Sequence, residues 1–339
     1  MRKGQALWIC VAAAAALVTA GCAADDPGLP EIARAEGIDI AVVIDDLQGP
    51  TQLSVAPDGS YLLAQLAGTE NEGSGQVVQI DPDSGAQIVL FDGLDKPTGV
   101  AVRGDEVWVM ESDQLSRGPR SGGELTLVAE DLPNNGRSEG TLTITPDGDV
   151  LYNTSGRKRG ANVVPDSGRL WTVGDDGESV ELASGFKNAY AHTFDADGVL
   201  WTTEIGDGRF DDLPPLDELV AVQPGIDHGW PVCVGDNRAV LELDGSDEIC
   251  AASPRSHATF PAQATPTSVV VSPFDPDHLL VALWVTGEVV AVPRVASAEP
   301  HVPEVFLSGL NGPQHLVALD DQLLLVEFGA NRILSVELG

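Results

Sequence analysis

From Ile205 to Glu218 the chain reads IGDGRFDDLPPLDE. Two glycines stand among five carboxylates, Asp207, Asp211, Asp212, Asp217 and Glu218. Oxygen-rich loops relieved by glycine suit Ca²⁺. The spacing is not that of an EF-hand loop. The six histidines include no HExxH and no close pair, so zinc has little support. There is no GxSxG elbow and no phosphate-binding glycine loop. Cys233 and Cys250 stand 17 apart, ahead of which lie only Cys10 and Cys22 near the N-terminus. A thiol pair is too small a donor set for a metal, and a bridge between them contributes about 3 kcal/mol in the chain-entropy picture.

One pattern positions these groups. A Pro-Thr-like start leads into an alternating strand, a turn often written Asp-Gly, and a second apolar strand. It begins at Gly49, Lys96, Glu139, Asn188, Thr265 and Gly312, and four of the starts carry Pro50, Pro97, Pro266 and Pro313. A third strand follows each copy: QVVQID, ELTLV, RLWTV, ELVAV, EVVAV and RILSV. Several copies add a weaker fourth. Helical periodicity is absent. Units of four strands repeating about every 40 to 50 residues read as propeller blades. The expected fold is all-β, a six-bladed propeller over residues 37–339. The last copy stops after its third strand, and Ile38 to Leu47 supplies the missing outer strand that closes the ring. A pair of β-sandwiches is the rival architecture.

In such a ring the starts of first strands and the ends of second strands meet at one mouth. The starts bring Thr51, Thr98, Arg137 with Glu139, Lys187 with Asn188 and Tyr190, Thr267, and Gln314 with His315. The ends bring Gln65, Glu111, Ser155, Glu204 and Glu327. Carboxylates beside Arg137 and Lys187 read as a functional site. The competing reading has them accept backbone N–H groups at strand ends and hold the blades together.

The chain has 339 residues, 43% of them hydrophobic, enough for a large core. With 52 acidic against 18 basic residues its formal charge is −34, which argues against nucleic acid and anionic lipid surfaces as partners. Arg2 and Lys3 precede an apolar run from Ala6 to Val18 and then Thr19-Ala20-Gly21-Cys22. The run is too short for a permanent span. It resembles a bacterial lipoprotein signal ending at a lipidated Cys22; a plain secretory signal is the alternative. The expected organisation is a signal over residues 1–21, a polar tether over 22–36, and the propeller. That places a monomer in the cell envelope, attached to membrane only by lipid.

The run GFKNAYAHTFDADGVLWTTEIGDG…LDELVAVQPGIDHGWPVC resembles the fourth blade of the soluble quinoprotein glucose/sorbosone dehydrogenases, and GRSEGTLTITPDGDVLYNTSG their third. The likeness runs from about Gly136 to Pro231. It implies a six-bladed propeller that oxidises a sugar with pyrroloquinoline quinone (PQQ) and Ca²⁺, a histidine taking the substrate proton. Carried over by position, that histidine falls at Arg137, a permanent cation that cannot be the base. The active-site aspartate falls at Asp217. Cofactor contacts fall at Lys187 and Asn188, with Tyr190 beside them. Calcium ligands fall at Gly206 and Asp207, with Glu204 adjoining. Val285 stands where the family's quinone-contacting lysine belongs, and no Arg-x-Arg-Asp run occurs near the sixth blade. A non-catalytic binding propeller and a metal-dependent lactonase, with Glu204 and Asn188 as ligands, are the other functions considered.

Overall fold

The computed structural model describes residues 32–35, 37–68, 73–136, 139–160 and 162–339. The signal, Cys22 and Arg137 lie outside the described residues. Six four-stranded antiparallel sheets form a ring, each with its first strand innermost. Blade one runs Pro50–Val55, Tyr61–Gln65, Gly75–Ile80 and Gln87–Leu94. Blade four runs Ala189–Phe194, Leu200–Glu204, Asp217–Ala221 and Ala258–Phe260. Blade six takes its outer strand from the other end of the chain: Ile38–Ile44 pairs antiparallel with Arg332–Leu338 and closes the ring. Ala33–Arg34, within the stretch read as tether, pairs with the outer strand of blade five.

The third strand of blade two is not ELTLV, as the sequence pattern suggests, but Leu115–Pro119, and Thr126–Ala129 is the fourth. The sequence LSRGP hides it, because an arginine, a glycine and a proline break the apolar alternation.

The burial pattern explains why second strands are so apolar. Tyr61–Gln65 and Leu200–Glu204 are buried at every position, whereas the outer Gln87–Leu94 is mostly exposed. Successive side chains of a strand point to opposite faces, and each inner strand has a neighbouring blade on both faces. Leu62 and Ala64 pack with Val100 and Val107 of blade two, while Tyr61 and Leu63 pack with Leu324 and Val326 of blade six. Six apolar clusters fill the clefts between blades, one in each, and a seventh of Phe210, Trp230, Val234 and Val240 lies at the blade-four insertion. Burying a leucine there contributes about 1.5–3 kcal/mol, and a charge at Leu63 would break the cleft between blades six and one.

The Pro-Thr starts have a structural role as well. Thr51 Oγ1 donates to the Pro97 carbonyl (2.8 Å), Thr98 to Gly140 (3.3 Å) and Thr267 to Pro313 (2.9 Å). Each hydroxyl therefore ties one inner strand to the next. Blade four carries an insertion between its third and fourth strands, stapled by the Cys233–Cys250 disulfide. The carboxylate of Glu218 ties this insertion down by accepting from the Gly235 and Asp236 amides and the Ser256 hydroxyl.

Candidate functional site

A cavity of about 810 Å³ opens at the mouth where the first strands begin. Its size falls in the ordinary range for small-molecule sites. Thr51, Thr98, Tyr190, Thr267 and Gln314, all from the third position of the repeat, form its floor. Tyr190 Oη accepts from Gln314 Nε2 (2.9 Å), a bond across the ring from blade four to blade six. One wall is apolar: Leu66, Trp284, Val285 and Phe328, the Trp284 and Phe328 rings meeting edge-on at 6.2 Å. The facing wall is polar, with Asn135, Asn188, Gly206, Asp207 and Asp217; Lys96 stands among the lining groups too.

The carboxylates at the second-strand ends do not line this cavity. Glu111 accepts from the Asp95 amide (2.6 Å), Glu327 from the Asn311 amide (2.6 Å), and Glu204 from the Lys187 and Asn188 amides. Gln65 does the same for the Gln48 amide (3.1 Å). These side chains staple the loops entering blades one, two, four and six to their second strands. Burial raises the Glu204 carboxyl well above its ordinary value, and the nearby Glu218 adds to the shift. The residue one step further on is the one that faces the mouth: Leu66 follows Gln65, Ile205 follows Glu204, Trp284 follows Leu283, and Phe328 follows Glu327. A step of one residue swaps the faces of a strand, and the folded ring sets which of the two faces the mouth.

Lys187, assigned to cofactor binding, lies outside the cavity. Its Nζ donates to the Gly156 carbonyl (3.0 Å) and sits 5.9 Å from the Trp230 ring. Asn188 and Tyr190 do reach the lining. Asn153 fixes the Asn188 amide: its Oδ1 accepts the Gly140 amide, so its Nδ2 donates to Asn188 Oδ1 (3.0 Å). Of the residues assigned to metal, Gly206 and Asp207 border the cavity, and Glu204 stands behind it. Among the described residues no group of three or more His, Cys, Asp or Glu side chains is placed to hold a metal.

Asp217 is wholly buried at the edge of the polar wall. Its Oδ1 accepts from the Gly206 amide and its Oδ2 from the Thr265 amide, both at 2.8 Å. One carboxylate thereby clamps two segments that line the site. Burial lifts it to about 6, against the pull of those two N–H groups. His192 and His315 are held neutral by burial, at about 4 and about 3, and neither lines the cavity.

The first position of the repeat carries a further signal. Its backbone is left-handed in four blades: Gly49 (φ 65°), Lys96 (φ 51°), Thr265 (φ 59°) and Gly312 (φ 61°). Glycine takes this conformation freely; other residues do so at a cost of about 1–2 kcal/mol. Blades one and six use glycine. Blades two and five instead place Lys96 and Thr265 there, and both side chains line the cavity. Strain of this kind collects where a side chain is needed for function.

No protein-family model and no curated protein sequence matches the chain. Solved structures do. The PQQ-bound aldose sugar dehydrogenase of Streptomyces coelicolor superposes with a TM-score of 0.69 at 18% identity, covering 90% of this chain and 99% of that one. The PQQ domain of pyranose dehydrogenase from Coprinopsis cinerea gives 0.73 at 16% identity, covering 92% and 99%. The calcium structure of a Trichoderma reesei carbohydrate-active enzyme of family AA12 gives 0.75 at 13%, covering 91% and 97%. The likeness is one of fold, and it spans the whole propeller.

Proposed function

We propose that the mouth cavity is a saccharide site that takes PQQ and Ca²⁺, which makes the protein a quinone-dependent sugar oxidoreductase. The observation that carries this reading is the pairing of an aromatic wall with an oxygen-rich one across a cavity of cofactor size. Trp284, Phe328 and Val285 suit one face of a flat quinone, and Lys96 supplies charge for its carboxylates. Gly206, Asp207 and Asn188 offer hard oxygen donors of the type Ca²⁺ prefers over zinc. When bound, the quinone would accept the hydride of the sugar carbon.

The residues of this chain handle position and protons. Tyr190 and Gln314 close the floor. Asp217 holds Gly206 and Thr265 in place. With its carboxyl lifted to about 6, it is ionised at neutral pH and near enough to neutrality to take up a proton. Arg137, always cationic, serves as charge and not as base. We place the protein in the cell envelope, anchored through Cys22, on the strength of the N-terminal sequence and the oxidised Cys233–Cys250 pair.

Titrating the apo protein with PQQ and Ca²⁺ tests this directly. Cofactor absorbance should appear at micromolar concentrations, followed by dye reduction with an aldose. Absence of uptake sinks the proposal. A second reading, a propeller that binds a saccharide without oxidising it, has one observation in its favour: among the described residues no histidine lines the cavity. Uptake without dye reduction would select it.

A further inference from the structure

A groove of about 700 Å³ lies beside the mouth, across blades two and three. The segment 131–136 joins the two spaces: Asp131 to Asn134 line the groove, and Asn135 and Gly136 line the cavity. The groove's other wall is the short hairpin Lys158–Arg159 against Asn162–Val163. Arg157, Lys158 and Arg159 form three consecutive cations in a chain of charge −34.

Period 2 separates them. Arg157 and Arg159 both line the groove, roughly 7 Å apart along the strand. Lys158 points the other way, its Nζ 4.7 Å from the Phe210 ring, and pins the hairpin to the loop after blade four's second strand. The root of the hairpin is fixed as well. Arg157 N donates to Ser167 Oγ, and a Cβ on Gly156 would meet the Phe186 carbonyl at 2.5 Å and the Trp230 ring at 2.8 Å. The hairpin that carries the two guanidiniums is therefore held at its root.

They are also unused. Arg103, Arg120, Arg169, Arg255, Arg294 and Arg332 each bridge a carboxylate within 4 Å. Arg157 and Arg159, both exposed, have no such partner among the described residues. Three aspartates share the groove, Asp113, Asp131 and Asp166, and Asp166 is already engaged by Arg169 at 3.3 Å. The many carboxylates elsewhere on the surface act weakly here, because charges more than about 8 Å away are screened at physiological salt.

We infer that the groove is an outer subsite for an acidic saccharide, with Arg157 and Arg159 holding carboxylates of sugar units outside the one seated in the cavity. Paired guanidiniums match carboxylates in geometry as well as charge, and the segment 131–136 runs from the groove to the cavity. The inference rests on the reading of the cavity as a saccharide site. It narrows the ligand to a chain of uronic acids.

The experiment measures binding by calorimetry, without PQQ, so it does not depend on redox activity. The probes are a (1→4)-linked galacturonate tetramer, the neutral galactose tetramer and a glutamate tetramer. The galacturonate tetramer should bind about tenfold tighter than the neutral one. The R157Q/R159Q variant should lose that margin and keep its affinity for the neutral chain, with an unchanged melting temperature because both side chains are exposed. Equal affinity for charged and neutral chains, or an unchanged margin in the variant, overturns the inference. So does equally tight binding of the glutamate peptide. If PQQ uptake fails while the galacturonate margin holds, only the redox reading falls. If uptake and aldose oxidation succeed without the margin, only the acidic subsite falls.

Discussion

Thr265 sits in a left-handed conformation that glycine occupies at the same place in blades one and six. Thr265→Gly should raise stability by about 1 kcal/mol, since the strain of a β-branched residue is removed. The same change should weaken ligand binding, because a lining side chain is lost. Thermal melting and calorimetry with a bound saccharide would check both signs. Asp217 yields a pH prediction. Its folded value of about 6 lies above the 3.8 of the unfolded chain, so the native state holds the proton more tightly. The stability this provides is full below pH 3.8 and is lost as pH rises through about 6. Compared with Asp217→Asn, which cannot titrate, the wild type should lose up to about 3 kcal/mol between pH 4 and pH 7. Urea unfolding of both proteins at the two pH values measures it, and a constant difference contradicts it.

Among the elements, the inner strands depend on the threonine ties. Thr51→Val keeps the shape and removes the bond to the Pro97 carbonyl. The expected loss is about 1 kcal/mol, read as a small fall in melting temperature with the ring intact. The blade-four insertion relies on its disulfide and on Glu218. Replacing Cys233 and Cys250 by serine should cost about 3 kcal/mol and expose the segment between them to proteases, while the remaining blades keep their protection.

For the whole molecule, closure is the vulnerable step. The ring has no single core, only clefts between neighbouring blades, so every blade needs both neighbours. Ile38–Ile44 is the strand that joins the two ends of the chain, and its Ile38 and Ile44 fill the clefts on either side of blade six. Deleting residues 1–44 should uncover the Arg332–Leu338 edge and produce association or loss of cooperative melting. A monomer with an unchanged sharp transition would show that closure matters less than the packing argues.

Much of this was legible in the amino-acid sequence. Six copies of one strand pattern determined the architecture, and an orphan strand at the start with a missing one at the end determined how the ring closes. Both follow from local periodicity, which survives wherever a strand is buried on both faces. The resemblance in blades three and four put Asn188, Gly206, Asp207 and Asp217 at or beside the cavity, while it also drew in Lys187; that residue and Glu204, read as a strand end, lie outside the cavity lining. Only the tertiary structure decided which residues at the strand ends reach the mouth. The first strands of blades one, four, five and six shift register within their opening residues. Where register shifts, the two-residue period no longer says which face a side chain takes. The sequence points to Glu111, Glu204 and Glu327, and the folded ring presents Leu66, Ile205, Trp284 and Phe328.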